Sequence, residues 1–230
     1  RDAVAEQLPE VPPSHVLTEP AARNTAPAIA WSLLAMPEEA RAGAVIVLPS
    51  DHRIADPGAF RAALAQAVAV VAEEPRILTL GVVPSRPETG FGYLEMAEAL
   101  AGAPGLRRVR RFTEKPDRAT AERFVAGGEH LWNAGIFVFR GSVLLAGLER
   151  HSPELWRGLV ELAGSPGRVG ELYPRLESIS IDYAVMEKFE EMAALPLDCG
   201  WSDLGSWDAL ADILPVDPAG PPRPDGRPQC

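Results

Sequence analysis

The chain has 230 residues, of which 47% are hydrophobic and 23% charged, and its formal net charge is −10. These values are typical of one large globular domain, and the negative charge argues against nucleic acid or an anionic membrane as the main partner. The sequence contains no apolar run of membrane-spanning length, and Cys199 and Cys230 lack the spacing of a metal or redox motif. We therefore expect a soluble, cytoplasmic protein.

Apolar runs of strand length alternate along the chain with helical patterns, which predicts an α/β domain with a mainly parallel sheet and helices on both faces. Asn24 or Thr25 is expected to cap the first helix, because Pro27 suits its first turn. The continuous apolar run at 44–49 is typical of a central strand covered on both faces. The predicted strands are 14–20, 44–49, 76–83, 109–116, 135–140 and 192–198, and the later helices are 58–73, 117–128, 142–150, 153–163 and 180–190.

The sequence shows no internal domain boundary before its proline-rich end. We expect one domain over residues 1–214, with Ser206 capping a last short helix, and an irregular tail over residues 215–230. Residues 84–92 are rich in turn formers and are predicted to be a turn-rich stretch that follows the strand at 76–83.

Four polar clusters lie next to the predicted strands, at 49–52, 112–116, 131–135 and 200–203. Ligands of open α/β sheets bind at the carboxyl ends of the strands, so these clusters are candidate site residues. Together they offer two aspartates, a Glu-Lys pair and an amide, which suits phosphate chemistry with Mg²⁺. Each cluster also has a structural explanation. Asp51 and Asp203 could cap turns, the Glu-Lys pair could be a solvated strand end, and Asn133 could satisfy buried backbone.

Seven segments occur in one order: EPAARNTAPAIA, VLPSDH, TGFGYLE, FTEKPD, LWNAGIFVFR, SIDYAVMEK and GWSDLGSWDAL. Together they resemble the sugar-nucleotide pyrophosphorylases, and specifically the mannose-1-phosphate guanylyltransferases. The resemblance implies a Rossmann-like nucleotide-diphospho-sugar transferase fold. It also implies transfer of GMP from GTP to mannose-1-phosphate, with Mg²⁺, giving GDP-mannose and pyrophosphate without a covalent enzyme intermediate. Two alternatives stay open: a nucleotidyltransferase for another hexose-1-phosphate, and a non-catalytic sugar-phosphate or nucleotide-binding relative or inactive fragment.

The resemblance assigns roles to individual residues. Asp51 and Asp203 would be the Mg²⁺ ligands, and with Lys115, which would hold the sugar phosphate, they are the implied catalytic residues. Glu114 and Asn133 would bind mannose hydroxyls. The remaining implied roles are the wall of the sugar pocket for Gly92 and Tyr93, the nucleotide side for Arg23, Asn24 and Thr25, and packing beneath the site for Asp182 and Lys188.

The family's glycine-rich loop, which resembles GGxGTRLWPLS and wraps the triphosphate, has no counterpart here, since no glycine precedes Gly43. The resemblance therefore implies that the first strand or strands of the fold are missing. We expect this to leave the strand at 44–49 partly uncovered, and the chain alone to be unstable and to turn over GTP poorly. The oligomeric state stays open, with a homodimer as one option.

Overall fold

A computed structural model gives the structure of the chain and describes residues 2–205. The predicted cap at Ser206 and the proline-rich tail at 215–230 lie outside the described residues. The strands are β1 (Ala44–Val47), β2 (Arg53–Ile54), β3 (Ile77–Val82), β4 (Tyr93–Ala99), β5 (Arg107–Thr113), β6 (His130–Arg140), β7 (Met192–Pro196) and β8 (Trp201–Ser202).

The described helices are α1 (Asp2–Gln7), α2 (Thr25–Ala35), α3 (Glu38–Ala42), α4 (Pro57–Glu73), α5 (Arg118–Gly127), α6 (Gly141–His151), α7 (Pro153–Ala163), α8 (Val169–Leu172) and α9 (Ile181–Ala184). Single turns of 3₁₀-helix occur at Pro13–His15, Pro166–Arg168, Tyr173–Arg175 and Met186–Lys188. No helix within residues 2–205 has both the length and the apolar character that crossing a membrane requires.

Six strands form one mixed sheet in the order β1-β6-β3-β7-β5-β4, and β4 pairs again with β6, which curls the sheet into a partial barrel. Among the described strands of this sheet only β3 and β7 pair in parallel, so the expected mainly parallel sheet is wrong. The error has a physical reason. Apolar runs locate strands, but their direction depends on the connections, and β4, β5 and β6 return antiparallel to their neighbours.

Helices cover both faces of the sheet, as predicted. Side chains alternate between faces along a strand, and on β6 Phe137 and Phe139 join one core cluster while Ile136 and Val138 join another. The first cluster includes buried residues of α2, α6 and α7, and the second includes Ala67 of α4. The sheet is therefore the middle layer of the described fold.

The helix ends follow their capping residues. Asn24 caps α2, with its Oδ1 accepting a hydrogen bond from the Thr25 N–H at 2.8 Å, as predicted. Asp56 caps α4 through two backbone N–H groups, and Asp117 caps α5, which ends at Gly128 in the left-handed region (φ 67°).

The structure corrects three further predictions. The strand at 14–20 is absent, because no described strand pairs with these residues, and a 3₁₀ turn takes part of them. The strand β4 was not predicted. The predicted helix at 180–190 breaks at Val185 (φ −131°), whose buried side chain packs against Gly147 of α6.

The predicted strand at 44–49 forms β1, but it lies at an edge of the sheet rather than at its centre. Among described strands it pairs only with β6, and Ile46 and Leu48 are 39% and 50% exposed. The expectation that this strand is partly uncovered therefore agrees with the described residues.

Candidate active site

All four predicted polar clusters meet at one pocket of about 200 Å³. The predicted residues Glu114, Lys115, Asn133 and Asp203 line it, together with the 90–92 loop. These residues come from the end of β5, the middle of β6 and the end of β8, so the curled sheet brings together positions that are far apart in sequence.

An irregularity between β3 and β6 opens this pocket. Thr79 pairs with Phe137 and Gly81 with Asn133, so three residues of β6 stand opposite Leu80 alone. One of the three, Gly135, has φ 67°, a conformation that favours glycine. Such bulges re-aim side chains near sites, and this one directly follows Asn133 at the pocket edge.

The 90–92 loop joins the two sides of the pocket through backbone hydrogen bonds. The Lys115 N–H donates to the Phe91 carbonyl at 3.2 Å, and the Asn133 N–H donates to the Gly92 carbonyl at 2.8 Å. A Cβ at position 92 would lie 2.5 Å from Glu114 Oε2 and 3.0 Å from the Phe112 ring. Glycine is therefore required for this close approach.

Glu114 and Lys115 form an ion pair, with 3.6 Å between Nζ and Oε1. The Lys115 side chain is 58% exposed and that of Glu114 only 10%. Lys115 has φ 47°, in the left-handed region, which is strained for a lysine. The Glu114 N–H donates to Glu187 Oε1 at 2.9 Å. The turn therefore holds the carboxyl inside while the ammonium reaches solvent.

Burial raises the pKa of Glu114 to about 7, and the nearby Asp182 and Glu187 carboxylates act in the same direction. Lys115 opposes the rise without cancelling it. Burial also raises the pKa of Asp182. The pocket thus holds two carboxyl groups that are costly to ionise together.

The side-chain amide oxygen of Asn133 has two neighbouring hydrogen-bond donors. Its Oδ1 accepts from the Gly135 N–H at 3.2 Å and lies 2.9 Å from the Thr79 hydroxyl, while its Nδ2 donates to Asp182 Oδ1 at 3.3 Å. Thr79 is completely buried. Asn133 is therefore positioned by three different segments of the chain.

Asp51 and Asp203 flank the same end of the small sheet made by β2 and β8. Arg53 pairs with Ser202, so Asp51 stands shortly before β2 and Asp203 directly after β8. Between them, His52 Nδ1 accepts a hydrogen bond from Trp201 Nε1 at 3.0 Å. Burial lowers the pKa of His52, although both aspartates act to raise it.

Neither aspartate makes a hydrogen bond or ion pair with any other residue in 2–205. No group of three or more His, Cys, Asp or Glu side chains within that range could hold a metal ion. Mg²⁺ commonly binds one or two carboxylates and completes its shell with water and substrate phosphates. Two carboxylates without cationic partners among the described residues are compatible with that mode of binding.

Other candidate residues lie behind or beside the pocket. Tyr93 is fully buried, donates to the Glu88 carbonyl at 2.8 Å and packs against Phe124, while Phe91 lines the pocket instead. The sugar contact assigned to Tyr93 stays a prediction.

The nucleotide candidates Arg23, Asn24 and Thr25 form the start of α2 and are not lining residues of this pocket. The Arg23 guanidinium donates to the Pro174 carbonyl, and Thr25 Oγ1 accepts from the Ile181 N–H at 2.8 Å. These contacts join α2 to the segment that carries Asp182. The nucleotide roles remain predictions.

A family model described as nucleotidyl transferase matches residues 3–218. The chain belongs to the nucleotidyl transferase family. It is 43% identical to the xanthan biosynthesis protein XanB of Xanthomonas campestris pv. campestris (strain B100), covering 96% of this chain and 48% of that protein. It is 39% identical to the mannose-1-phosphate guanylyltransferase of Escherichia coli (strain K12), covering 93% and 47%. The chain therefore spans about half the length of these curated relatives.

Solved structures of similar fold agree with the α/β nucleotidyltransferase fold of the family. The crystal structure of a Thermus thermophilus protein described as mannose-1-phosphate geranyltransferase is 33% identical, with a TM-score of 0.82, covering 94% of this chain and 62% of that one. A Helicobacter pylori protein described as mannose-6-phosphate isomerase is 30% identical, with a TM-score of 0.69, covering 80% and 72%.

Sequence reasoning missed some residues of this nucleotidyl transferase pocket. His52 and Phe91 line it without having been assigned a role, although both stand beside assigned residues in the segments VLPSDH and TGFGYLE. Asp182 was expected to be structural, but it lines the pocket and accepts from Asn133. Lys188, given the same role, is exposed and donates to the His151 carbonyl at 3.4 Å.

Proposed function

We propose that the protein transfers GMP from GTP to mannose-1-phosphate, giving GDP-mannose and pyrophosphate. The observation that carries the proposal is the meeting of Glu114, Lys115, Asn133 and Asp203 at one pocket, in a chain similar to mannose-1-phosphate guanylyltransferases over most of its length. A phosphate oxygen of mannose-1-phosphate attacks the α-phosphorus of GTP. The bond to pyrophosphate breaks, and the new phosphorus–oxygen bond completes GDP-mannose.

Lys115 binds the phosphate of mannose-1-phosphate. Its ammonium is exposed at the pocket mouth, and its backbone N–H is held by the hydrogen bond to the Phe91 carbonyl. A cation placed there neutralises the attacking phosphate and lets it approach the phosphates of GTP. The strained φ of Lys115 supports this role, because strain persists where the surroundings impose it, commonly at functional sites.

Glu114 and Asn133 bind the hydroxyl groups of the sugar. Glu114 offers carboxyl oxygens inside the pocket, and Asn133 offers an amide N–H. Gly92 allows the loop to approach Glu114 closely, which narrows the pocket around the ring. Tyr93 supports the wall from behind through packing.

Asp51 and Asp203 would hold Mg²⁺, on which members of this family typically depend. Bound there, the ion would neutralise charge on the reacting phosphates. The chain's own part is to keep two carboxylates at one end of the β2–β8 pair, which the Trp201–His52 hydrogen bond supports. Arg23, Asn24 and Thr25 are assigned to the nucleotide side.

A test is to incubate the purified chain with GTP, Mg²⁺ and one hexose-1-phosphate, and to measure nucleotide sugar by chromatography and pyrophosphate release. Mannose-1-phosphate should be the preferred acceptor over glucose-1-phosphate and galactose-1-phosphate. Preference for another hexose would support the alternative acceptor. Calorimetry in the absence of GTP should detect binding of mannose-1-phosphate. Binding without any turnover would favour the alternative of a non-catalytic sugar-phosphate-binding relative or inactive fragment, and absence of both would contradict the proposal.

A further inference from the structure

The Asn133 amide has a defined orientation. A backbone N–H can only donate, so the Gly135 N–H requires the amide oxygen on its side. The Thr79 hydroxyl lies on the same side, at 2.9 Å from Oδ1. The Nδ2 group must therefore face Asp182, whose carboxyl oxygen accepts one of its two N–H bonds. The second N–H has no partner among the described residues.

Asp182 is itself held in place. It lies in the first turn of α9, whose N-cap Ser180 accepts from the Tyr183 N–H at 3.3 Å. The start of α9 is tied to α2, because the Ile181 N–H donates to Thr25 Oγ1 and the Ala26 N–H donates to the Ile179 carbonyl at 3.1 Å. These contacts hold the start of α9 in place, so the Asp182 carboxyl has a fixed position from which it accepts the hydrogen bond of Asn133.

We propose that Asp182 is a positioning residue. The Gly135 N–H and the Thr79 hydroxyl hold the amide oxygen of Asn133, and Asp182 binds one N–H of Nδ2, so that the remaining N–H is offered to the ligand. The pocket then presents a hydrogen-bond donor at Asn133 beside the carboxyl oxygens of Glu114. A vicinal pair of hydroxyls fits this arrangement, since one oxygen accepts from Asn133 while its neighbour donates to Glu114. The proposal rests on the proposed function, which supplies the hexose-1-phosphate as the ligand.

The experiment measures by calorimetry how the wild-type chain and the variants Asp182→Ala and Asn133→Ala bind mannose-1-phosphate and its monodeoxy analogues. In wild type, removal of the hydroxyl that meets Asn133 should weaken binding about fivefold to tenfold, as expected for one hydrogen bond. Asn133→Ala should bind mannose-1-phosphate more weakly by the same factor and should be insensitive to removal of that hydroxyl. Asp182→Ala, in which Gly135 and Thr79 still hold the amide oxygen, should show both effects in part. Both variants should remain sensitive to removal of the other hydroxyls.

Two results would overturn the proposal. If Asp182→Ala weakened all analogues equally, it would act on the pocket as a whole. If it lost sensitivity to a different hydroxyl from Asn133→Ala, Asp182 would bind the sugar directly. Asp182→Asn should retain the wild-type pattern, because its amide oxygen still accepts from Asn133. Asp198→Ala, at an exposed aspartate outside the pocket, is the matched control.

Nuclear magnetic resonance tests the orientation without a ligand and so separates this proposal from the proposed function. One side-chain N–H of Asn133 should exchange slowly with solvent in wild type and in Asp182→Asn, and rapidly in Asp182→Ala. Fast exchange of both N–H groups in wild type would overturn the positioning role. If the orientation were observed but mannose-1-phosphate did not bind, the proposed function would fail and the positioning of Asn133 would stand.

Discussion

The two sides of the pocket are built differently. On the proposed sugar side, comprising Glu114, Asn133 and Asp182, every side chain is partly or largely buried and has a polar partner. For Asn133 and Asp182 that partner lies on another element of the fold. On the proposed metal side, comprising Asp203 and the neighbouring Asp51, which does not itself line the pocket, neither carboxylate has a hydrogen-bond or ion-pair partner within residues 2–205. The fold therefore holds the side chains of the sugar side in place, whereas the two carboxylates of the metal side have no cationic partner among the described residues.

This difference predicts which property each side controls. Burying carboxyl groups raises their pKa and costs folding free energy, so substitutions on the sugar side should change stability together with binding. Asp51 is exposed and Asp203 half-buried, and carboxylates that water reaches and that have no partner contribute little to folding. Substitutions on the metal side should therefore remove activity and leave stability nearly unchanged.

The largest effect should come from Asp203→Asn. A neutral amide is a poor Mg²⁺ ligand, so kcat/KM for GDP-mannose formation should fall by about 100-fold or more, and added Mg²⁺ should restore it only in part. The melting temperature should change by no more than about 1 °C, because no described contact is lost. Rate assays and thermal melts on the same preparations measure both quantities.

Asp198→Asn is the matched control for this change, since Asp198 is an exposed aspartate of the same segment. It should leave both activity and melting temperature at wild-type values. A strong loss of stability in Asp203→Asn would contradict the distinction between the two sides.

The second prediction concerns Lys115, whose exposed ammonium is paired with the buried carboxyl of Glu114. Lys115→Ala should raise KM for mannose-1-phosphate about tenfold to 100-fold, because hydrogen bonds to charged groups contribute about 1.5–3 kcal/mol. Lys115→Gly should lose binding equally but melt higher than Lys115→Ala, because glycine adopts φ 47° without strain. Lys188→Ala, at the chain's other lysine, should change neither the KM for mannose-1-phosphate nor the melting temperature.

Most of the fold could be predicted because apolar periodicity locates strands and helices. The runs at 76–83 and 135–140 contain β3 and the apolar half of β6, and capping residues mark α2 and α5. Strand direction could not be predicted, because it depends on pairings between distant segments. The strand β4 was missed because acidic residues interrupt its apolar pattern. Its strand conformation depends on pairing with β5 and β6, which local sequence does not reveal.

The site was predicted less evenly. The order of its motifs pointed to Glu114, Lys115, Asn133 and Asp203, and these residues do meet at one pocket. Asp182 could not be assigned from the sequence, because its contact with Asn133 joins residues 49 positions apart on different elements. The local sequence identified the chemical groups of the site. Which of these groups are in contact depends on how distant elements, such as β6 and α9, pack in the folded chain.

The third prediction uses pH to probe the sugar side. The pKa of Glu114 is raised from its ordinary 4.5 to about 7, so the folded protein binds this proton more tightly than the unfolded chain. The resulting stability is fully present below pH 4.5 and is lost as pH rises to about 7. Glu114→Gln lacks this dependence. Relative to wild type, it should therefore gain up to about 3 kcal/mol between pH 4.5 and 7 and no more above it.

Urea unfolding of both proteins at several pH values measures this gain. Glu149→Gln, an exposed glutamate on α6, is the control and should follow wild type throughout. Parallel stability curves for wild type and Glu114→Gln would mean that the Glu114 carboxyl is solvated in the folded protein, and burial would then not distinguish the sugar side from the metal side.

The smallest effect should come from Gly92→Ala, which tests how closely the loop approaches Glu114. The added Cβ would meet Glu114 Oε2 and the Phe112 ring, so the variant should lose about 1–2 kcal/mol of unfolding free energy. The loss should stay modest, because the Glu114 carboxyl is the end of a flexible side chain and can turn aside. That movement displaces it from the pocket, so KM for mannose-1-phosphate should also rise. Gly127→Ala is the matched control, since a Cβ at this position of α5, outside the pocket, would meet nothing within 4 Å. If both variants behaved alike in urea unfolding and in KM, contact between the loop and Glu114 would not shape the sugar side.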